Sequence, residues 1–127
     1  MKRDFDLIRA ILLYLESQPR GFIGDQIALE GNSNDEVVYH LVLMKDEGLI
    51  EGLVRSIYRQ YTPIVRVHRM TRAGHDFLDA CRDEGRWNQA KEIFNKMGGV
   101  TFNVANEVLV RLMMAGVSQI LPNIPIH

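Results

Sequence analysis

The sequence lacks the features of secreted and membrane proteins. Its single cysteine, Cys81, excludes an internal disulfide framework and suits the reducing cytoplasm. Charged residues interrupt the apolar stretches at residues 1–16 and 104–121, so neither a signal peptide nor a membrane span is predicted. We therefore expect a cytoplasmic protein that does not enter a membrane.

Catalytic and metal-binding motifs are missing as well. None of the four histidines stands four residues from another histidine or a cysteine, the spacing typical of zinc sites on helices. The sequence has no phosphate-binding P-loop, no dinucleotide-binding fingerprint and no nucleophile elbow. Cys81 falls on the apolar side of a predicted helix, which favours packing over nucleophilic chemistry. We expect no enzyme activity, no metal and no cofactor.

A strong net charge is also absent. The 15 Lys and Arg residues nearly balance the 16 Asp and Glu residues, giving a formal net charge of −1. Attraction to nucleic acid must therefore come from a local patch. One such patch is predicted, because the segment from Gly52 to His75 contains no acidic residue. It contains two tyrosines, Tyr58 and Tyr61, and five arginines: Arg55, Arg59, Arg66, Arg69 and Arg72.

Apolar periodicity predicts five helices and one β-hairpin. The helices are expected at residues 4–17, between a Ser33 capping box and Gly48, after Thr71, at residues 87–97 and at residues 103–121. The strands are LIEGLVRSIY and IVRVHRMT, and in the second the alternation slips at Arg69, which predicts a bulge or a strand end near His68. The segment GFIGDQIALEG contains three glycines and is expected to be a loop with short extended pieces. Pro122 and Pro125 are expected to end the last helix and leave a short tail.

This order of elements is that of a winged helix. The stretch YHLVLMKDEGLIE resembles the recognition helix and following strand of winged helix-turn-helix regulators, and HRMTRAGHDFLDACR resembles their third strand and next helix. Residues 1–87 are similar to an uncharacterised bacterial and prophage family through three phrases in order: MKRDFDLIRAILLYLE, YHLVLMKDEGLIE and TRAGHDFLDACRDEGRW. The glycine-rich segment before the second helix departs from the pattern, because a regular helix-turn-helix has a positioning helix there.

The resemblance implies an α+β, mainly α fold and leaves the function open. It implies a winged helix-turn-helix-like domain at residues 1–84 and a C-terminal helical extension at residues 85–127. The last helix is apolar nearly all round, which predicts burial on several sides. Either a homodimer through this helix or packing within the chain would supply that burial.

Two functions from different classes fit the residues. In the first, a prophage-type transcriptional regulator binds double-stranded DNA: Arg55, Arg59, Arg66 and Arg69 hold phosphates, and Asn34, Tyr39 and His40 approach bases. In the second, a protein-interaction adaptor uses the same fold without nucleic acid. The acid-free hairpin favours DNA, whereas acidic residues at the start of the second helix and the near-neutral net charge favour the adaptor. The arginines could also be neutralised by neighbouring carboxylates.

Overall fold

A computed structural model of the chain describes residues 1–19, 22, 24–25 and 27–121. Within these residues the protein is mainly α-helical, with one two-stranded antiparallel sheet, which agrees with the predicted mainly α, α+β class. The helices are α1 (Phe5–Ser17), α2 (Asn34–Asp46), α3 (Arg72–Cys81), α4 (Glu84–Lys96) and α5 (Phe102–Ile120), and the strands are β1 (Ile50–Arg55) and β2 (Ile64–Met70).

The chain divides into two compact units, Met1–Leu78 and Asp79–His127, with the boundary inside α3. The predicted domain boundary after residue 84 stays a prediction. Residues 122–127, where Pro122 and Pro125 are predicted to end the last helix and leave a short tail, lie outside the described residues. No helix among those described combines the length and apolarity needed to cross a bilayer.

The first two helices begin at the residues that the sequence predicts. The Asp4 carboxylate accepts hydrogen bonds from the backbone N–H groups of Asp6 and Leu7, at 2.9 and 3.4 Å, and caps α1. Before α2, the Ser33 hydroxyl accepts the Glu36 N–H and the Glu36 carboxylate accepts the Ser33 N–H, each at 3.1 Å. The predicted capping box is therefore confirmed.

The core of the first unit lies between α1, α2 and the hairpin, and each element contributes apolar side chains at its own period. Val65 and Val67 of β2 point into this core, whereas Arg66 and His68 are exposed, as the alternation predicts. The helices contribute a larger buried set: Leu7, Ile8, Ile11, Leu12, Val37, Val38, Leu41 and Met44.

The predicted bulge is confirmed at His68. Glu51 pairs with Arg69, but the next residue, Gly52, pairs with Val67, so His68 has no partner on β1. One extra residue on β2 puts Arg69 on the exposed side and returns Met70 to the core. Strand β1 ends at Arg55, three residues before the predicted end. The loop that connects it to β2 is therefore longer than predicted.

The described residues between α1 and α2 contain no helix. Gly24 forms an isolated antiparallel bridge with Val67, whose N–H donates to the Gly24 carbonyl at 3.0 Å. The expected extended piece is thus confirmed at Gly24, while the prediction for Gly21, Ile23 and Gln26 lies outside the described residues.

In the second unit, α4 packs against α5. Asp83 caps α4 by accepting the Arg86 N–H at 2.8 Å, so the helix starts three residues earlier than predicted. Trp87 and Phe94 are buried and meet edge to face with ring centroids 6.2 Å apart. None of the described residues of α5 beyond Leu109 is buried, so the second half of this helix is less covered than the first.

Candidate nucleic-acid interface on the hairpin

The loop that joins β1 to β2, residues 56–63, is here called the tip. The Gln60 N–H donates to the Ile57 carbonyl at 3.0 Å and closes a turn. Arg59, the third residue of that turn, has a φ of 66°. This left-handed conformation is costly for a residue with a Cβ atom, by about 1 kcal/mol or more, and glycine would adopt it more easily.

A side-chain hydrogen bond ties the tip to the start of α2. The Thr62 hydroxyl donates to the Asp35 carboxylate at 2.7 Å. Asp35 lies in the first turn of α2, where a negative charge also stabilises the helix dipole. The tip is therefore held beside the acidic N-terminus of α2.

The tip exposes aromatic and cationic side chains together. Tyr58 is 85% exposed, Tyr61 is fully exposed, and the Arg59 guanidinium lies 5.3 Å from the centroid of the Tyr58 ring. Arg55 follows from the end of β1 and is exposed as well. Within the described part of the chain, neither Arg55 nor Arg59 has a carboxylate partner. These two cations remain open to an anionic ligand.

The two arginines of β2 are placed differently. Arg66 forms a two-pronged ion pair with Asp25, in which the second contact, Nη2 to Oδ2, is 3.2 Å. Arg69 pairs in the same way with Glu51 on the opposite strand, at 2.9 and 2.7 Å. About half of each side chain is exposed, and pairs of this kind contribute about 0–1 kcal/mol. Protein carboxylates therefore already occupy these two guanidinium groups.

The three residues expected to approach bases occupy three different settings. Asn34 is exposed at the first position of α2, Tyr39 is half-buried, and His40 is 1% exposed. Both ring nitrogens of His40 have backbone partners: Nδ1 lies 2.7 Å from the Glu36 carbonyl, and Nε2 accepts the Asp4 N–H at 2.8 Å. The predicted approach of His40 to a base is incompatible with this position, and its role is to join α2 to the cap of α1.

A groove of about 810 Å³ opens between α2 and the hairpin. It brings three of the predicted site residues together, Asn34, Arg55 and Arg66, whereas Arg59 and Arg69 do not line it. Asp25 and apolar residues of α2, of the hairpin and of the segment before α2 complete the walls, the apolar ones including Ile27, Val38, Leu41, Leu53, Ile64 and Val65. Sequence reasoning missed this groove, because its walls come from segments that are distant in the chain.

The described residues contain no cluster of side chains that could hold a metal ion. Within residues 1–19, 22, 24–25 and 27–121, no three His, Cys, Asp or Glu side chains are grouped so that they could share an ion. Cys81 is buried on α3, as its place in the apolar pattern predicts.

The described residues thus define a small, mainly α protein with an exposed cationic hairpin. It belongs to the family described as "Hypothetical protein (DUF2513)", whose model matches residues 2–101. A relative from Haemophilus influenzae with the printed name "Uncharacterized protein" is 38% identical over 99 residues, covering 72% of this chain and 76% of the relative. No solved structure matches the chain. The expected membership of a family of unknown function is confirmed.

Proposed function

We propose that this chain is a cytoplasmic winged-helix protein that contacts double-stranded DNA through the tip, as a prophage-type transcriptional regulator would. The order α1, Gly24 bridge, α2, β1, β2, α3 supports the winged-helix assignment. In it, α2 takes the place of the recognition helix and the hairpin is the wing. The proposed contacts are with phosphates and the minor groove, so binding is sequence-tolerant.

The main support is the setting of Arg59. Its guanidinium lies at the end of a tip that exposes Tyr58 and Tyr61, and it has no carboxylate partner within the described residues. The backbone there is left-handed, a conformation that glycine would adopt at lower cost. Strained residues are concentrated at functional sites, and arginines on a loop are suited to phosphates and to a narrow minor groove.

The acidic start of α2 argues against base-specific reading. Asp35 and Glu36 lie in its first turn, beside Asn34, and would repel a phosphate backbone at close range. With His40 in the core, Asn34 and Tyr39 remain the proposed neighbours of bases. The affinity is therefore assigned to phosphate contacts, which are insensitive to sequence.

A salt titration with a random duplex tests this proposal. Each phosphate neutralised contributes about 0.9 to the slope of log K against log salt, so Arg55 and Arg59 together predict a slope of about −2. Replacing either one, by Arg55→Ala or Arg59→Gly, should reduce that slope by about 1. Fluorescence anisotropy of a labelled duplex measures both quantities.

Arg111→Ala is the matched control, because it changes the net charge equally and lies on α5, where Arg111 pairs with Glu107 at 2.8 Å. The control should leave the slope unchanged. No binding at low salt, or an equal loss with Arg111→Ala, would reject the tip as a DNA contact.

The second candidate is the protein-interaction adaptor, and the exposed apolar surface of the hairpin favours it. Leu53 on β1 is 60% exposed and Ile64 on β2 is 45% exposed, and the exposed tyrosines lie in the loop between these strands. Tyrosine and arginine are enriched in protein interfaces. A protein that shows no salt-dependent DNA binding, yet binds a protein partner through these residues, would fit this candidate.

The homodimer through the C-terminal helix is also proposed here. Val110, Met114 and Ile120 are exposed on α5, and residues 112–121 carry no charged side chain. An uncharged helical surface of this kind suits a second copy. Light scattering that reports a monomer at high protein concentration would reject the dimer.

A further inference from the structure

We infer that the groove between α2 and the hairpin binds a short peptide segment of another protein, one that carries a carboxylate between apolar side chains. This inference shares Arg55 with the proposed DNA contact and otherwise rests on residues of the groove that the DNA contact does not use. The groove measures about 810 Å³. Clefts that hold ligands typically measure about 300–1,000 Å³, so its size suits a few side chains.

Polar and apolar surfaces line the groove in nearly equal measure, and the apolar part is slightly larger. Ile27, Val38, Leu41 and Val65 line it and are buried, so they form a fixed surface held by the core. Leu53 and Ile64 also line it, but they are 60% and 45% exposed. An apolar side chain bound here would remove the surface of these two residues from water, which favours binding.

The strand register explains why cations lie beside these apolar residues. Leu53 pairs with Arg66 and Arg55 pairs with Ile64, and opposite residues in a sheet share a face. One face of the hairpin therefore carries a four-residue patch in which each apolar side chain stands opposite an arginine. All four residues line the groove.

The charges of the groove favour an acidic occupant. Asp25 lines the groove and neutralises Arg66 through their ion pair. Arg55 has no carboxylate partner among the described residues, so two arginines against one aspartate leave one positive charge in excess. A carboxylate on the occupant would complement Arg55, and an arginine can bind a carboxylate through two parallel hydrogen bonds.

The same features distinguish a peptide from a duplex as the occupant. A duplex would present phosphates to apolar walls and would approach the Asp25 carboxylate. An apolar–acidic peptide places hydrocarbon against Leu53 and Ile64 and only its carboxylate near Arg55. Specificity then comes from the unpaired charge of Arg55 beside apolar side chains, and a few placed polar groups among apolar ones are usual in recognition sites.

Selection from a random library of dodecapeptides displayed on phage tests the inference with the full-length protein. The enriched peptides should share an acidic residue flanked by apolar residues. Their synthetic versions should lose affinity by about tenfold or more with Arg55→Glu, and similarly with Leu53→Ser/Ile64→Ser, because the anchoring charge or apolar surface is removed. A second selection against Arg55→Glu should replace the acidic residue by lysine or arginine.

Met97→Ser is the control, because it removes an exposed apolar side chain at the end of α4 that lines neither the groove nor the proposed dimer surface. It should leave peptide affinity within about twofold. Circular dichroism checks that all variants are folded, which is expected because the changed side chains are exposed. No enrichment, enriched peptides without an acidic residue, or undiminished binding to Leu53→Ser/Ile64→Ser would overturn the inference.

The two proposals fail separately. Arg59→Gly should weaken DNA binding and leave peptide binding unchanged, because Arg59 does not line the groove. Leu53→Ser/Ile64→Ser should do the reverse.

Discussion

The strands of the hairpin and its tip carry the same residue type, arginine, in different electrostatic settings. On β2, Arg66 and Arg69 are held by Asp25 and Glu51 in two-pronged ion pairs. At and beside the tip, Arg59 and Arg55 have no such partner in the described part of the chain. A run of like charge in a sequence is therefore not a run of available charge in the fold.

The difference follows from geometry. A strand fixes the direction of each side chain, so its arginines meet whatever carboxylate lies opposite or beside them. Glu51 stands opposite Arg69 only because the bulge at His68 shifts the register by one residue. Arg55 lies on β1 but stands opposite the apolar Ile64, and no neighbouring strand supplies a carboxylate to Arg59 in the tip. The available cations are thus Arg55 and Arg59, which is why the proposed contact is weak and sequence-tolerant.

Gly52→Ala should break the strand pairing of the hairpin and produce the largest loss of stability. A Cβ atom at Gly52 would lie 2.3 Å from the Arg66 carbonyl oxygen, and this backbone atom cannot move without disturbing the sheet. We expect the free energy of unfolding to fall by about 3 kcal/mol in a urea titration.

Gly116→Ala is the matched control for that change. A Cβ atom at Gly116 would meet nothing within 4 Å, and the residue lies inside α5. This substitution should raise stability by about 0.5–1 kcal/mol, because glycine is unfavourable inside a helix. Equal losses from both substitutions would contradict the close approach at Gly52.

His40→Ala should lower the free energy of unfolding by about 2–3 kcal/mol, because it removes a buried ring and both of its hydrogen bonds. The salt slope of DNA binding by the folded protein should not change. Asn34→Ala, at an exposed position of the same helix, should change stability by less than about 0.5 kcal/mol. If His40→Ala leaves stability unchanged and weakens DNA binding, His40 contacts the DNA after all.

Periodicity and capping could be predicted from the sequence because they are local. The Asp4 cap, the Ser33–Glu36 box and the alternation of Val65 and Val67 each depend on residues close in the chain. The bulge at His68 was also visible, as a break in that alternation. Helix ends were less predictable: Asp83 caps α4 because α3 stops at Cys81.

The candidate site was less predictable, because pairing across the chain determines it. Asp25 reaches Arg66 from 41 residues away, and the acid-free stretch gave no sign of that partner. His40 was predicted to be accessible on α2, yet its Nε2 atom accepts a hydrogen bond from the backbone N–H of Asp4, the capping residue of α1. A histidine four residues after Glu36 can bond to the carbonyl of that residue, which is the one local signal that could have indicated burial.

Glu51→Gln should make the guanidinium of Arg69 on β2 available to an anionic ligand, as those of Arg55 and Arg59 already are. Neutralising Glu51 leaves Arg69 without a charged partner, so the salt slope of DNA binding should steepen by about 1. Affinity at low salt should rise by about threefold, and the loss of an exposed pair should cost less than about 1 kcal/mol of stability. Glu107→Gln frees Arg111 on α5 by the same charge change and should do neither. A similar gain with Glu107→Gln would assign the effect to net charge.

Arg59→Gly should produce the smallest change in stability and the most informative one. Relief of the left-handed conformation, partly offset by the greater freedom of glycine in the unfolded chain, should raise the free energy of unfolding by about 0.5 kcal/mol. Gln60→Gly, the neighbouring exposed residue without a positive φ, should lower it by a similar amount. If both variants lose stability, Arg59 is not strained. If Arg59→Gly gains stability and loses DNA binding, its guanidinium is retained at the tip at a cost to stability, as expected of a binding residue.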